Sequence, residues 1–131
     1  MAKTTAELNL PANLKYTSEH IWIKVDGEEL VIGVSDYAQD QLGEVVYVDL
    51  PSEGDSFADA SEFGEVESIK AVNKLFMPVK GEIVAINGDL EDAPSLVNAS
   101  CYEKGWMIRV KPENMADVDA LMDAEAYRAS L

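Results

Sequence analysis

The sequence contains Glu67-Ser68-Ile69-Lys70-Ala71-Val72 at the junction of two stretches that read as β-strands. The first stretch runs from Phe63 to Ile69. The second runs from Val72 to Met77 and stops at Pro78, because proline cannot donate to a sheet ladder. Two short strands with no linker between them predict a hairpin. Lys70 would lie at or beside the tip of this hairpin, with its amine in solvent.

The neighbours of Lys70 suit a lysine that another protein modifies. Small Ser68 and Ala71 leave the lysine stem uncrowded, as an enzyme acting on the amine requires. An exposed lysine is nevertheless ordinary on a protein surface, and edge strands often carry one against aggregation. No Asn-Gly or Asp-Gly dipeptide marks the turn. Residue type alone therefore does not separate a modified lysine from a plain one.

Composition places the chain among ordinary globular proteins. Its 131 residues, 47% hydrophobic and 27% charged, are enough for one domain spanning residues 1–131. The formal net charge of -15 repels phosphate backbones, so we expect no nucleic-acid partner. The same charge either serves solubility alone or steers the chain towards basic patches on larger partners. No apolar run is long enough to cross a bilayer, so we expect no membrane association.

Catalytic and metal-binding motifs are missing from the sequence. The lone cysteine, Cys101, cannot form an internal disulfide, and we interpret it as a small buried filler. No CxxC or His/Cys cluster indicates a metal site. The lone histidine, His20, has no nucleophile set beside it in a known motif, so we interpret it as a plain hydrogen-bonded side chain.

Alternating apolar residues and turn dipeptides predict several further strands. Ile21, Ile23 and Val25 alternate with polar or aromatic neighbours, and Asp26-Gly27 after them predicts a tight hairpin turn. Many short strands separated by Gly/Pro turns indicate a mainly β sandwich or barrel. The predicted strands are Lys15–Val25, Glu29–Val34, Val45–Leu50, Ser56–Phe57, Glu82–Ile86 and Lys104–Lys111.

A short internal helix is predicted over Tyr37–Leu42. Ser35 and Asp36 offer capping oxygens, Gln39 follows Asp36 at capping-box spacing, and Gly43 suits a left-handed helix end. Residues 1–13 read as an irregular lead-in, and residues 90–99 also read as irregular.

Residues 113–131 read as a C-terminal helical extension. Met115, Val118 and Met122 form one stripe of an amphipathic helix. Asp123 would cap a second short helix over residues 124–128.

Several of these segments together resemble the H-protein family of the glycine cleavage system. The resemblance is carried by the residues around Lys70, by the helix segment at residues 35–44, by the loop at residues 94–98 and by the Gly105-Trp106 pair. It implies the barrel-sandwich hybrid of lipoyl and biotinyl carriers. Dehydrogenase lipoyl domains typically have Asp where this chain has Ile69, and biotin carriers typically flank their lysine with methionines.

The resemblance implies a non-catalytic carrier. Lipoic acid would be joined to Lys70 through an amide by a lipoate ligase or a lipoyl/octanoyl transferase. The carrier would take the aminomethyl group of glycine from a pyridoxal-phosphate decarboxylase to a tetrahydrofolate-dependent aminomethyltransferase, and electrons to dihydrolipoamide dehydrogenase. Glu67, Ser68 and Ala71 would contribute to recognition of the lysine.

The surroundings of Lys70 include three acidic side chains and a candidate cleft for the carried amine. Glu62, Glu65 and Glu67 suit recognition by partners and a solvated strand face equally well. Family members shelter the carried amine in a cleft, for which the segment around His20 is a candidate wall. Ile21 stands where they often have an acidic residue.

The alternatives are another lipoyl or biotinyl swinging-arm domain, an H-like protein that relays lipoate, and an enzyme with a Schiff-base lysine at position 70. The expected location is the bacterial cytoplasm, with a mature organellar form as the alternative.

Overall fold

Two antiparallel sheets dominate the computed structural model, which describes residues 4–131. The six-stranded sheet has the order β1-β2-β3-β9-β8-β5 and the three-stranded sheet the order β4-β6-β7. The strands are β1 Lys15–Tyr16, β2 Ile21–Asp26, β3 Glu29–Val34, β4 Val45–Asp49, β5 Ser56–Phe57, β6 Glu62–Ser68, β7 Val72–Phe76, β8 Gly81–Ile86 and β9 Ile108–Pro112.

Short helices connect and flank the sheets. The α-helices are α1 Asp36–Leu42, α2 Asp89–Asp92, α3 Leu96–Ala99 and α4 Ala124–Ser130, and 3-10 helices cover Thr5–Glu7 and Met115–Ala120. The predicted mainly β class, the internal helix and the helical C-terminal segment are confirmed. No helix within residues 4–131 is long and apolar enough to span a bilayer.

The main core lies between the two sheets. Residues from both sheets are fully buried in it, among them Ile32, Val66, Ile83 and Val110. Burial of apolar surface of this kind contributes about 25 cal/mol per Å² and fixes the two sheets against each other.

A second cluster ties both chain ends to the six-stranded sheet. Tyr16 and Tyr127 stack with ring centroids 4.8 Å apart. Leu8 and Leu10 pack into the same cluster, so the lead-in is less irregular than expected, with its 3-10 helix and buried leucines. Residues 1–3 of the predicted lead-in lie outside the described residues.

Two sequence-based interpretations of the six-stranded sheet are wrong, one at Val25 and one at the start of the last strand. The predicted alternation holds at Trp22, whose side chain packs in the second cluster while Ile21 and Ile23 lie in the main core. Its indole covers Gly33 and donates to the Cys101 carbonyl at 2.9 Å. Val25 is 51% exposed, so the alternation does not bring this residue into the core. The last strand begins only at Ile108, since residues 101–105 form turns that hold Gly105 against the backbone of α3.

The helical segments also differ from expectation. The cap of α1 is Ser35, whose hydroxyl accepts from the Ala38 N–H, while Gln39 bonds the Asp36 carboxylate instead of closing a capping box. Residues 89–99 hold α2 and α3, two single turns too short to show helical periodicity. The predicted amphipathic helix ends early, since Met122 lies in a bridge to Tyr16. The Asp123 cap is confirmed.

Candidate functional site

Lys70 lies at the tip of the hairpin formed by β6 and β7. The two strands pair antiparallel, with Glu67 opposite Val72 as the last ladder pair. The Ser68 N–H donates to the Ala71 carbonyl at 2.8 Å and closes the turn. The Lys70 side chain is exposed. The predicted hairpin and the predicted position of Lys70 are therefore confirmed, while the role of the lysine stays a prediction.

Every backbone N–H of the tip, residues 69–71, has an acceptor. Ile69 donates to the Glu44 carbonyl at 3.1 Å, and Lys70 and Ala71 donate to the Ser68 hydroxyl at 3.3 and 3.1 Å. Ser68 itself is only 6% exposed. Its hydroxyl thus organises the turn, a role beyond the small size noted in the sequence. The signal was available, because serine hydroxyls often bond nearby backbone in turns.

The end of α1 forms the support beneath the lysine stem. Gly43 has φ 73 and ψ -154, a conformation essentially restricted to glycine. A Cβ built at this glycine would lie 3.5 Å from Lys70 Cε, so the stem passes directly over it. The left-handed helix end expected at Gly43 is therefore wrong in ψ, although φ is positive as expected.

Asn98 holds the connection between α1 and β4 in place. Its side-chain oxygen accepts from the Val45 N–H at 2.8 Å, and its amide nitrogen donates to the Gly43 carbonyl at 2.7 Å and to Gln39 Oε1 at 3.1 Å. Three bonds from one side chain fix the segment on which the tip rests. No local sequence pattern indicated this residue, since its partners are more than fifty positions away.

The charges around the tip are mostly acidic. Within residues 4–131 no carboxylate forms an ion pair with Lys70. Of the three strand glutamates, Glu67 is exposed at the tip and Glu65 is half-buried further along β6. Glu62 lies opposite Phe76 at the far end of the hairpin, 3.5 Å from the Lys74 amine. The amine is thus presented to solvent beside negative charge without being held by it.

His20 belongs to a hydrogen-bonded and aromatic cluster inside the fold. Its Nδ1 lies 2.7 Å from the Tyr127 hydroxyl, which also bonds the Ser35 hydroxyl at 2.7 Å, and its ring contacts Tyr37. Burial lowers the pKa of His20 from its ordinary value, and the charge of Glu19 opposes this shift. The interpretation of His20 as a hydrogen-bonded histidine is confirmed.

A groove lies beside the segment that precedes Ile21. It has a volume of about 380 Å³ and includes the carboxylates of Glu19 and Asp59 among its lining. Its other wall is formed by Phe76 and Met77, at the end of β7 far from Lys70, roughly 13 Å along the strand. Cys101 is buried, as expected of a filler.

The two sheets, with a lysine on an exposed hairpin tip, define the lipoyl-like barrel-sandwich class, although the sheets are not closed into a barrel. The crystal structure of a glycine cleavage system H protein from Mycobacterium marinum matches with a TM-score of 0.85 and 31% identity. The match covers 92% of this chain and 98% of that one. The expected fold class is therefore confirmed.

Sequence comparison then identifies the family. The model of the glycine cleavage H-protein family matches residues 14–131. The glycine cleavage system H protein of Bacteroides fragilis is 48% identical over 122 residues, covering 93% of this chain and 97% of the relative. That of Anaeromyxobacter sp. (strain K) is also 48% identical over 122 residues, covering 93% and 95%.

The chain belongs to the glycine cleavage H-protein family. Members of this family carry lipoate and are carrier subunits rather than catalysts. Membership supports a carrier role in the glycine cleavage system for this chain and agrees with the resemblance noted in its sequence.

Proposed function

We propose that Lys70 is the attachment site of a lipoyl group, held through an amide on its Nζ, and that the chain carries this group among the enzymes of glycine cleavage. The observation that supports this most strongly is the exposed amine on a turn whose backbone donors are all bonded. A Schiff-base enzyme has less support, because it needs a buried lysine with a depressed pKa.

The residues around Lys70 fit an amide-linked arm. Acylation removes the positive charge of the amine, and no ion pair within the described residues depends on that charge. The stem lies over Gly43, where the missing side chain leaves room for it. Attachment of the arm therefore breaks no ion pair among residues 4–131.

The protein's own contribution is presentation. The bound dithiolane would supply thiol–disulfide chemistry to each partner in turn. Ser68, Glu44 and Gly43 hold the base of the arm in one place, and tethering replaces diffusion of a free intermediate by a high local concentration at the docked enzyme.

The proposed partners follow from family membership. They are a pyridoxal-phosphate glycine decarboxylase, a tetrahydrofolate-dependent aminomethyltransferase and dihydrolipoamide dehydrogenase, with a lipoate ligase or lipoyl/octanoyl transferase for attachment. The cargo would be the aminomethyl group of glycine and then a pair of electrons. The acidic surface, with a formal net charge of -15, suits docking to basic patches on such enzymes.

Intact mass spectrometry tests the attachment. Protein made in cells supplied with lipoate should carry one lipoyl group. Lys70→Ala should carry none while keeping its melting temperature, because an exposed side chain contributes little packing. Lys74→Ala, at the next lysine of the same hairpin, is the matched control and should be lipoylated like the wild type. A lipoyl group retained on Lys70→Ala, or a biotin increment on the wild type, rejects the proposal.

Glycine–bicarbonate exchange separates a glycine cleavage carrier from a lipoate relay. Fully lipoylated wild-type protein should support exchange by a bacterial glycine decarboxylase, and unlipoylated protein should not. Absence of exchange with a fully lipoylated sample would favour the relay.

A further inference from the structure

Exposed apolar side chains gather beside Lys70. Within residues 4–131 five large hydrophobic side chains are exposed, and four of them lie at the tip end of the three-stranded sheet. The fifth, Val25, lies at the end of the β2–β3 hairpin. The four are Val46, Tyr47, Ile69 and Val72. Scattered exposed apolar residues need no explanation, but a cluster indicates an interaction site.

Strand register places part of this cluster on one face. Tyr47 pairs with Glu67, and Glu67 pairs with Val72, so the three side chains form a row across the sheet. Tyr47 and Val72 are 57% and 55% exposed, and Ile69, next to the lysine, is 70% exposed. Tyr47, Ile69 and Val72 are called the tip surface below.

A β-bulge shapes the tip surface. Val45 pairs with Ser68 and Tyr47 with the adjacent Glu67, so Val46 is an extra residue on β4. Bulges re-aim side chains and recur next to functional sites. Here the bulge exposes two consecutive residues that a regular strand would point to opposite faces.

Carboxylates surround the tip surface. Glu67 stands within the apolar row, Glu44 is exposed beside the tip, and Asp49 and Glu65 occupy the next row. The lysine of that next row, Lys74, is paired with Glu62. A partner that fits this face therefore has an apolar contact surrounded by cationic side chains.

We propose that the tip surface is the docking site of the enzyme that attaches the lipoyl group, and that this enzyme presents an apolar seat with a basic rim. The proposal rests on Lys70 being the attachment site. It adds residues that contact the modifying enzyme without touching the reacting atoms.

The position of the reacting atom favours the attaching enzyme as the partner that binds the tip surface. Attachment takes place at Nζ itself, which lies only one lysine side chain from the backbone of the tip. Reacting atoms must approach within about 3–3.5 Å, so the attaching enzyme must come close to the tip itself. Enzymes that act on the far end of an attached arm meet no such requirement.

The chemistry is an acyl transfer. The neutral Nζ attacks the carbonyl carbon of an activated lipoyl donor, either a thioester or a mixed anhydride with a phosphate. The new C–N bond replaces the bond from that carbon to the leaving thiolate or phosphate, and the nitrogen loses one proton to a base. The tip surface supplies none of these groups, so its residues affect binding and positioning only.

The experiment compares exposed apolar side chains in the tip surface with an exposed apolar side chain outside it. Unlipoylated wild type, Tyr47→Ser/Val72→Ser and the control Val25→Ser are incubated with a bacterial lipoate ligase, lipoate and ATP, and attachment is followed by intact mass. We expect kcat/KM for the double variant to fall about tenfold, mainly through KM, because buried aromatic and apolar contacts dominate such interfaces. Val25→Ser should match the wild type, and all three should share one melting temperature. Added salt should slow attachment to the wild type, as cationic rim contacts require.

Each other outcome has a definite meaning. If the wild type is lipoylated and the double variant is lipoylated equally fast, the docking proposal is overturned and Lys70 remains the attachment site. If the wild type accepts no lipoyl group at all, the proposed function itself fails.

The other possible occupants are tested on the same variants. After long incubation the fully lipoylated double variant is assayed with dihydrolipoamide dehydrogenase, and we expect rates equal to those of the wild type. A defect confined to this second assay would assign the surface to a later partner. Concentration-dependent dimerisation of the wild type that the double variant lacks would assign it to a second copy of the chain. Either result contradicts the proposal.

Discussion

Two hairpins of this protein end in opposite ways. The β2–β3 hairpin turns through Gly27 at φ 65, and Arg109 from β9 donates to Asp26 at 2.7 Å and to Glu29 at 2.9 Å across the turn. The guanidinium holds the pKa of the Asp26 carboxyl below its usual range. The two carboxylates that flank this turn are thus paired within the molecule.

The β6–β7 hairpin has no glycine in its tip and no ion pair at Lys70 within the described residues. The Ser68 hydroxyl and the Glu44 carbonyl order its backbone instead. The comparison shows that the backbone of a turn can be ordered without an ion pair at its side chains. The chain fixes the backbone of this turn while leaving its amine available to a partner.

Moving the lysine from one hairpin to the other gives the largest expected effect. The double variant Lys70→Ala/Glu28→Lys places an exposed lysine in the β2–β3 turn and removes the original one. We expect no lipoyl incorporation by intact mass, because position 28 lacks the Ser68 hydroxyl, the support from α1 and the tip surface. The single variant Glu28→Lys should carry one lipoyl group. Incorporation at position 28 would show that exposure alone suffices.

Substitution of the two glycines by alanine should lower the free energy of unfolding by different amounts. Gly43→Ala forces a side chain into a conformation essentially reserved for glycine, at a cost of about 1–3 kcal/mol. Gly27→Ala, with a similar φ and open space around its Cβ position, should cost about 1 kcal/mol. Urea unfolding monitored by circular dichroism measures both. Equal losses would show that the end of α1 is not the strained element.

Removal of the Ser68 hydroxyl should loosen the tip. Ser68→Ala leaves the N–H groups of Lys70 and Ala71 without their acceptor and should lower the free energy of unfolding by about 1 kcal/mol. Lipoyl attachment should slow by about tenfold, since the amine is less well positioned. Ser68→Thr, which keeps a hydroxyl, should restore the rate. Ser61→Ala, which removes a hydroxyl bonded to the Ala58 carbonyl before β6, should leave the rate unchanged.

The smallest effect is expected at His20 and depends on pH. Burial lowers the pKa of His20 in the folded state, so the unfolded chain binds a proton more readily. The folded state is therefore destabilised as pH falls below the unfolded value of about 6.5. Between about pH 7.5 and about pH 5.5 the melting temperature of the wild type should fall further than that of His20→Asn. Asparagine is chosen because it tolerates the positive φ of 67. Parallel losses would mean that His20 does not contribute.

Sequence reasoning found the hairpins because their signals are local. Alternation, Pro78 and Asp26-Gly27 are read within a few residues, and so is the Ser35 cap of α1. The resemblance to the H-protein family supplied the fold, which the structural match confirmed.

The remaining features depend on partners far away along the chain. The Cys101 carbonyl accepts from the indole N–H of the buried Trp22, and Asn98 fixes the α1–β4 connection. The tip surface depends on the register of β4 and β6 and on the bulge between them. None of these long-range pairings leaves a local periodic signal, so only the folded chain shows them.

The central claim is that one amine, presented on a rigid and otherwise unengaged tip, receives the lipoyl group. Peptide mapping by tandem mass spectrometry of the lipoylated wild-type protein tests it most directly. The account predicts a lipoyl amide on Lys70 and on no other lysine of the chain. A lipoyl group located on Lys24, Lys74 or any other lysine, with Lys70 unmodified, would contradict it.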